Sequence, residues 1–335
     1  MNKKLYKLMN WPEIEEIVYA DGVSPHRILG CHKVGGNFLI QTFFPGAQSV
    51  VIHPEREEGS FPMELADEEG FFAALIPARK EAFRYSYHVT YPDGTVEDVY
   101  DPYLFEPLID REDIIQFNSG IHYHIYKKLG AHPMTRDGIL GVNFAVWAPD
   151  ATRLSVIGTF NAWDGRRHQM TRVDPCGIFE LFVPQAKAGD AYQFELRLKD
   201  GNIIRKADPY AFACKDESGA LSVVCETIKD DFPWTDERYM EARKKRSFTG
   251  KPFSVCELSL DAFAEAFRKE GTPYTYRDMA TDLVKYLQQY AFHAVELQPV
   301  VEHGVNPFEV TAHYAIKGAY GTREDFMALI DALHA

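Results

Sequence analysis

His122 and His124 alternate along the chain, and on a strand that spacing would turn both imidazoles to one face, where they could begin a metal site. No third ligand lies near them in the sequence, so structural histidines are expected and no metal is assigned. The five cysteines, Cys31, Cys176, Cys214, Cys225 and Cys256, are scattered and odd in number, with no Cys-x-x-Cys pair. They read neither as a disulfide framework nor as a zinc site, and they fit a reducing cytosol. The basic run Arg243-Lys244-Lys245-Arg246 stands in a charged, aperiodic stretch and reads as solvated linker. The richest pattern is N-F-A-V-W-A-P-D-A at 143–151, followed by S-V-I-G-T-F-N-A-W-D-G at 155–165. It is an alternating apolar strand, a proline turn, and a second strand ending in Trp163.

The elements that would position these residues start from a chain of 335 residues, enough for two or three domains with full cores. Lys+Arg is 36 against Asp+Glu 49, a net charge of −13, so no basic footprint suggests nucleic acid or an anionic membrane as a partner. Aromatic residues make up 13%. Large β cores account for most of them, and surfaces that stack on sugar rings are the other use of such a composition. Lys3 and Lys4 are followed by no long apolar run, and no segment approaches the roughly 18 apolar residues of a membrane span. A soluble cytoplasmic protein is expected.

An internal repeat organises the first two thirds. Asp101-Pro102-Tyr103-Leu104-Phe105 returns 107 positions later as Asp208-Pro209-Tyr210-Ala211-Phe212. The same offset links Gly70…Pro77 to Gly177…Pro184, Tyr85-Ser86-Tyr87 to Tyr192-Gln193-Phe194, and Asp93-Gly94 to Asp200-Gly201. Upstream, Phe44-Pro45-Gly46-Ala47 matches Ala148-Pro149-Asp150-Ala151 at an offset of 104. Each copy reads as β. Strands are expected at 38–43, 71–76, 142–147 and 178–183, and Asp-Gly turns close hairpins near 93 and 200. Short strands with frequent turn signals predict a small sandwich. Ahead of them, Trp11 to Val18 reads as a short helix with Pro12 in its first turn.

Past about residue 229 the pattern changes. Phe253 to Leu258 and Ala294 to Leu297 read as strands. Thr275 with Asp278, and Thr322 with Asp325, read as capping boxes opening helices. Tyr276, Met279, Ala280, Leu283, Val284 and Leu287 mark one face of the first helix. Strand, helix, strand, helix is the opening of a parallel α/β fold.

The stretch from His124 to Met170 resembles the carbohydrate-binding module ahead of the catalytic barrel in bacterial glycogen (1,4-α-glucan) branching enzymes. The Leu-Gly-Ala-His-Pro leader at 129–133 and Asp164-Gly165-Arg166-Arg167-His168 are the most specific parts of that likeness. Downstream, Glu257-Leu258, Thr275 to Ala280, Val295 to His303 and Ala319-Tyr320-Gly321-Thr322 resemble the first quarter of the (β/α)8 barrel of the α-amylase superfamily, glycoside hydrolase family 13. The resemblance implies a multidomain chain: an N-terminal helix (1–20), two tandem all-β immunoglobulin-like sandwiches (21–113 and 114–228), a linker (229–251) and a truncated barrel start (252–335). It also implies α-glucan, glycogen or malto-oligosaccharide, as the ligand and transfer from α-1,4 to α-1,6 linkage as the reaction of a complete homologue, with no cofactor.

Two departures bear on activity. A barrel needs roughly 250 residues, and only 84 follow residue 251. Retaining glycosyl transfer needs two carboxylates flanking the scissile bond. In the family these lie on later strands, and the Asp-x-x-x-Asn-His signature is not in the chain. No catalytic residue is therefore assigned, and Arg172-Val173-Asp174 is read as a chance imitation of the family's Arg-x-Asp. These 335 residues are expected to be inactive as a transferase, and truncation of a longer product is the expected reason. Second, the loop Glu302 to Glu309 is shorter than the family's, and Phe308 stands where the family has a sugar-facing Tyr.

By the same resemblance, Trp163 would stack on a glucose face, Asn161 would cap its turn or donate to sugar hydroxyls, and Phe308 would stack near the barrel mouth. Ile203 falls where regulatory modules carry a second aromatic. Arg166, Arg167 and His168 would tie the module to the barrel. A noncatalytic glucan-binding scaffold is the alternative reading. A debranching-enzyme fragment is a third, disfavoured by Asp164 to His168. No oligomeric state follows from the sequence.

Overall fold

The computed structural model describes residues 3–22, 24–56, 58–77, 83–173, 175–215, 220–226, 231–247 and 249–335. The chain divides into two compact units, Met1–Asp208 with Val223–Thr227, and Pro209–Ser222 with Ile228–Ala335.

The first unit opens with helices Lys3–Leu8 and Trp11–Val18, the second with Pro12 in its first turn as expected. Four strands follow in one antiparallel sheet, in the spatial order Gly30–Val34, Asn37–Phe43, Phe71–Pro77, Glu64–Asp67. Four more form a second sheet in the order Phe61–Pro62, Ser49–Pro54, Tyr85–Thr90, Val96–Tyr100. Ile40, Phe72 and Ala74 of the first sheet meet Val50, Ile52, Tyr87 and Val89 of the second in one core. The alternate residues Leu39, Phe43, Phe71 and Ala73 belong to a different core, shared with Ile14, Ile17, Val142 and Phe144. The first sheet is thus buried on both faces, which is why 38–43 and 71–76 are nearly all apolar instead of alternating.

The second half of this unit repeats the arrangement. One sheet runs Thr171–Arg172, Ile178–Pro184, Ile139–Trp147, Gly130–Arg136, and the other Ala151–Gly158, Ala191–Leu198, Ile203–Lys206. Phe144, Leu181 and Val183 share a core with Leu154, Val156, Tyr192 and Phe194 across the gap between them.

The repeat has a physical basis at its landmarks. Tyr85 and Tyr87 both donate to Asp101 Oδ2 at 2.7 Å, and Tyr192 donates to Asp208 Oδ2 at 2.6 Å. Both aspartates are 0% exposed. Gly70 and Gly177 have φ of +110° and +98°, and a Cβ there would overlap the backbone of Phe44 and of Pro149. At the Asp-Gly turns only the glycines are left-handed, Gly94 at +86° and Gly201 at +84°, so each turn ends in a glycine without a left-handed aspartate. An earlier repeat escaped the sequence reading. Leu29-Gly30-Cys31-His32 and Leu129-Gly130-Ala131-His132 each follow a 3-10 turn, and each histidine Nε2 bonds the leucine carbonyl at 2.9 Å. Their offset is 100, where the other landmarks repeat at 104 and 107.

Several expectations are corrected in this unit. His122 and His124 are not on a strand: His122 Nε2 bonds Asp113 Oδ1 at 2.9 Å, and His124 precedes the 3-10 turn Ile125–Lys127. Asp113 comes from a helix, Arg111–Asn118, that the sequence reading missed. Glu180, in the apolar strand 178–184, is fully buried and accepts from Leu108 N at 2.8 Å, Ile109 N at 2.9 Å and Asn143 Nδ2 at 2.9 Å. It anchors the segment joining the two sheet pairs. Of Arg172-Val173-Asp174, Arg172 lies in a short strand and Asp174 falls outside the described residues.

In the second unit, Val255–Ser259 and Ala294–Gln298 pair in parallel with Cys256 opposite Val295. Helices Tyr276–Tyr290 and Arg323–His334 begin at the expected capping boxes, Thr275 with Asp278 and Thr322 with Asp325. Tyr276, Met279, Leu283 and Leu329 lie in one core with Leu260 and Phe263. Those last two belong to a helix, Leu260–Phe267, that the sequence reading did not anticipate. Two further differences stand out. The stretch read as a loop after the second strand is a hairpin, Val301–His303 against Val310–Ile316. The stretch read as linker contains the helix Glu237–Lys245, anchored where Thr235 N donates to Asp331 Oδ1 at 2.8 Å, His334 Nδ1 bonds Asp236 Oδ2 at 2.7 Å and Tyr239 stacks on His334. Its charges face solvent, with no side chain of the helix buried, but its start is tied down.

Candidate functional site

The turn that presents Trp163 is built from strand Ala151–Gly158 outward. Gly158 is fully extended, and a Cβ on it would meet the Ala191 carbonyl and the Phe160 ring. Thr159–Asn161 make one 3-10 turn, and then Ala162 and Trp163 both take left-handed backbone, at φ +53° and +62°. Neither side chain favours that region, and each such residue costs about 1–3 kcal/mol. The surroundings hold them there. Trp163 N donates to Gly158 O at 3.1 Å and Asp164 N to Asn161 O at 3.1 Å.

Asn161 is the pin of the turn. Its Oδ1 accepts from Gly158 N, and its Nδ2 donates to Val156 O and to His168 Nδ1, all at 2.9 Å. At 1% exposure the amide has no face left for a ligand. Asn161 caps its turn, and both of its amide atoms are committed within it. Asp164 accepts from Arg166 N, Nε and Nη2 at 2.9, 3.1 and 2.9 Å. Burial opposes its charge, but the bonds from Arg166 outweigh that and hold its carboxyl below the usual range. Gly165 packs so closely on Glu195 that a Cβ would overlap the carboxylate. Glu195 is clamped between Arg153 and Arg205 at 3.1 Å from each.

Arg167 Nη2 bonds Glu97 Oε2 at 2.5 Å, and its guanidinium sits over the Phe44 ring at 5.9 Å. It is thus engaged with the first sheet pair of its own unit. His168 bonds Asn161, and burial, followed by the Arg167 charge, pushes its pKa down to about 3. The result is a partly exposed indole on a stiff platform whose charged groups are all internally paired. Such a surface can stack on a flat apolar face. Ile203 lies exposed on the strand Ile203–Lys206.

In the second unit, Phe308 sits at the end of the 301–316 hairpin and is 86% exposed; its N–H donates to Asn306 Oδ1 at 3.1 Å. A cavity of about 700 Å³ in that unit is lined by Asp261, Glu302, His303, Lys317 and Tyr320. Lys317 Nζ donates to both Asp261 oxygens, at 2.9 and 3.0 Å, and to His303 Nε2 at 2.9 Å. Burial opposes the Asp261 charge, yet the bonds from Tyr320 and Lys317 keep its carboxyl below the ordinary range. This cluster was missed in the sequence because Glu302, His303, Lys317 and Tyr320 lie 41, 42, 56 and 59 positions after Asp261 and no motif links them. Among the described residues no group of three or more His, Cys, Asp or Glu side chains could hold a metal, and no helix is long and apolar enough to cross a membrane.

Residues 10–103 match the family model of the alpha-1,4-glucan branching enzyme GlgB N-terminal domain. Residues 128–211 match that of carbohydrate-binding module 48, the isoamylase N-terminal domain. The 1,4-alpha-glucan branching enzyme GlgB of Thermosynechococcus vestitus is 36% identical over 352 aligned positions, covering 96% of this chain and 45% of the relative. The chain thus spans about half the length of this curated relative. Among solved structures, the type I pullulanase of Bacillus subtilis complexed with maltose aligns at 19% identity, over 91% of this chain and 45% of that one, with a TM-score of 0.42. The catalytic module of the glycogen-degrading pneumococcal virulence factor SpuA aligns at 16% identity, over 62% and 35%, with a TM-score of 0.46.

Proposed function

We infer the function of this chain from its membership of the 1,4-alpha-glucan branching enzyme family, to whose N-terminal portion it corresponds. Its role is to hold α-glucan, glycogen or malto-oligosaccharide, through Trp163 of the second sheet pair. The observation that carries this reading is the consecutive left-handed Ala162 and Trp163. A fold that needed only to bury an indole would not hold two non-glycine residues in a region costing about 1–3 kcal/mol each. Strain kept in place by a fully bonded Asn161 is the mark of a side chain displayed for use.

The finer architecture is part of the same proposal. The two sheet pairs are tandem immunoglobulin-like sandwiches, over 21–113 and 114–228, after an N-terminal helical segment, 1–20. The parallel strands and helices of 252–335 are the opening of a (β/α)8 barrel. Support comes from the shared cores of each sheet pair and from the parallel register of Val255–Ser259 with Ala294–Gln298. Phe308, exposed on its hairpin, would add a second stacking ring in the barrel part. Transfer from α-1,4 to α-1,6 linkage in cytoplasmic glycogen synthesis is the reaction of the whole family enzyme, to which these residues contribute glucan binding. Affinity electrophoresis in glycogen-containing gels tests the reading: the chain should be retarded, and Trp163→Ala should migrate as it does in a gel without glycogen. Equal retardation of the two would remove Trp163 from the proposal.

A further inference from the structure

Within the first unit a cavity of about 350 Å³ opens along the seam between the two sheet pairs. That is the lower end of the range for small-molecule sites. Phe44, Tyr100 and Tyr103 wall it on one side and Phe160 on the other. Its lining carries two carboxylates, Glu97 and Asp190, and two cations, Arg167 and Lys187. Glu97 is bonded to Arg167, and Asp190 accepts from Thr159 Oγ1 at 2.7 Å and from Lys187 N at 2.8 Å. An anionic ligand would meet two carboxylates here, with Arg167 engaged by Glu97 and Lys187 the remaining cation of the lining. An apolar ligand would strand those carboxylate oxygens and the buried polar wall.

His168 adds a fixed donor. Asn161 Oδ1 accepts from Gly158 N, so its Nδ2 is the donor toward His168 Nδ1. The imidazole is then neutral with its proton on Nε2. Burial and the Arg167 charge, holding its pKa near 3, keep the ring neutral at physiological pH. At the rim, Gln185 has a left-handed backbone at φ +67°, and its Nε2 donates to Asp98 O at 3.0 Å, joining the two sheet pairs beside the cavity. Aromatic walls, hydrogen-bonded carboxylate acceptors and a neutral donor are what a ring bearing hydroxyl groups requires.

We propose that this seam binds a short neutral malto-oligosaccharide, at a site separate from Trp163. The inference rests on the glucan reading above and adds to it a second, enclosed site that takes short chains while Trp163 takes the polymer surface.

Titration calorimetry of the full chain with maltotetraose, and separately with glucose 6-phosphate, tests it together with glycogen-gel retardation. Thr159→Trp, which brings an indole to the exposed wall, and Tyr100→Ala should each weaken maltotetraose binding at least tenfold and leave glycogen retardation in place. Trp163→Ala should do the reverse. Backbone amide shifts in the wild-type chain on adding maltotetraose should cluster at Thr159, Lys187 and Asp98, a readout independent of whether the variants fold. Unchanged maltotetraose affinity in both cavity variants, shifts elsewhere, or no binding by the wild type overturns the proposal. So does preference for glucose 6-phosphate, which would make the seam an anion site. In the wild-type chain, no maltotetraose binding with glycogen retardation intact sinks the seam alone; absence of both sinks the glucan reading.

Discussion

Asn161 donates from Nδ2 to His168 Nδ1 at 2.9 Å, so the residue that closes the Trp163 turn also fixes which imidazole nitrogen keeps its proton. The display of the indole and the protonation of the seam are therefore coupled through one buried amide. Asn161→Ala would leave Gly158 N, Val156 O and His168 Nδ1 short of partners in a buried place. Unsatisfied buried groups cost about 1–3 kcal/mol each, so a loss of about 2–4 kcal/mol in urea unfolding is expected after partial relaxation, with Trp163 emission shifting as the turn loosens. A cost under about 1 kcal/mol would mean that the turn is held by other groups.

Acid should weaken the fold first through histidine. Burial lowers the pKa of His168 to about 3, and burial also lowers those of His26 and His132. Below the ordinary histidine value near 6.5 the unfolded chain takes up protons that the native histidines refuse. Stability is therefore full above about pH 6.5 and declines as the pH falls toward the folded values. Carboxylates of lowered pKa, Asp113, Asp164 and Asp261, add their loss only below the ordinary Asp range. Unfolding free energies measured from pH 7 to pH 4 should fall steadily, and His168→Gln should flatten the slope. A slope that His168→Gln leaves untouched would place the effect elsewhere.

The duplicated tyrosine–aspartate pair gives an asymmetric prediction. Asp101 Oδ2 accepts from two tyrosines, whereas the second copy has Phe194 in place of the second tyrosine. Hydrogen bonds to charged groups are worth about 1.5–3 kcal/mol. Tyr85→Phe should cost about 1 kcal/mol, because Tyr87 still serves Asp101, and Tyr85→Phe with Tyr87→Phe together about 1.5–3 kcal/mol or more. Equal costs in parallel denaturation curves would contradict this.

Gly165 should tolerate no side chain. A methyl there overlaps the Glu195 carboxylate, which is locked between Arg153 and Arg205. Overpacking costs about 1–3 kcal/mol, and disturbing a buried ion network raises that. Gly165→Ala should lower the melting temperature by several degrees and weaken glycogen binding; a wild-type melting curve would show that the network yields freely.

Much of this was legible in the sequence because it follows from periodicity. The repeat at 107 located both buried aspartates, and the capping boxes located both long helices of the second unit. Trp163 was legible as a residue type after a strand and a proline turn. What escaped has physical causes. Length differences slide the repeat offset from 100 through 104 to 107, which hid the paired Leu-Gly-x-His starts. His122 and His124 mimic strand alternation, but a carboxylate from the unforeseen helix Arg111–Asn118 captures His122. Val301–His303 and Val310–Ile316 pair without an Asn-Gly or Asp-Gly signal. Nothing in the residue types Ala162 and Trp163 favours left-handed backbone; Asn161 and Gly158 impose it. The seam between the sheet pairs exists only in three dimensions, since its walls come from residues up to 148 positions apart.

The central claim is that Trp163 is displayed to hold glucan, and co-sedimentation of the chain with glycogen measures it most directly. Wild type and Trp163→Phe should both sediment, the phenyl ring keeping part of the stack. Trp163→Ala should bind at least tenfold more weakly, a difference of about 1.4 kcal/mol, with an unchanged melting temperature. Wild-type and Trp163→Ala chains that sediment alike would contradict the account.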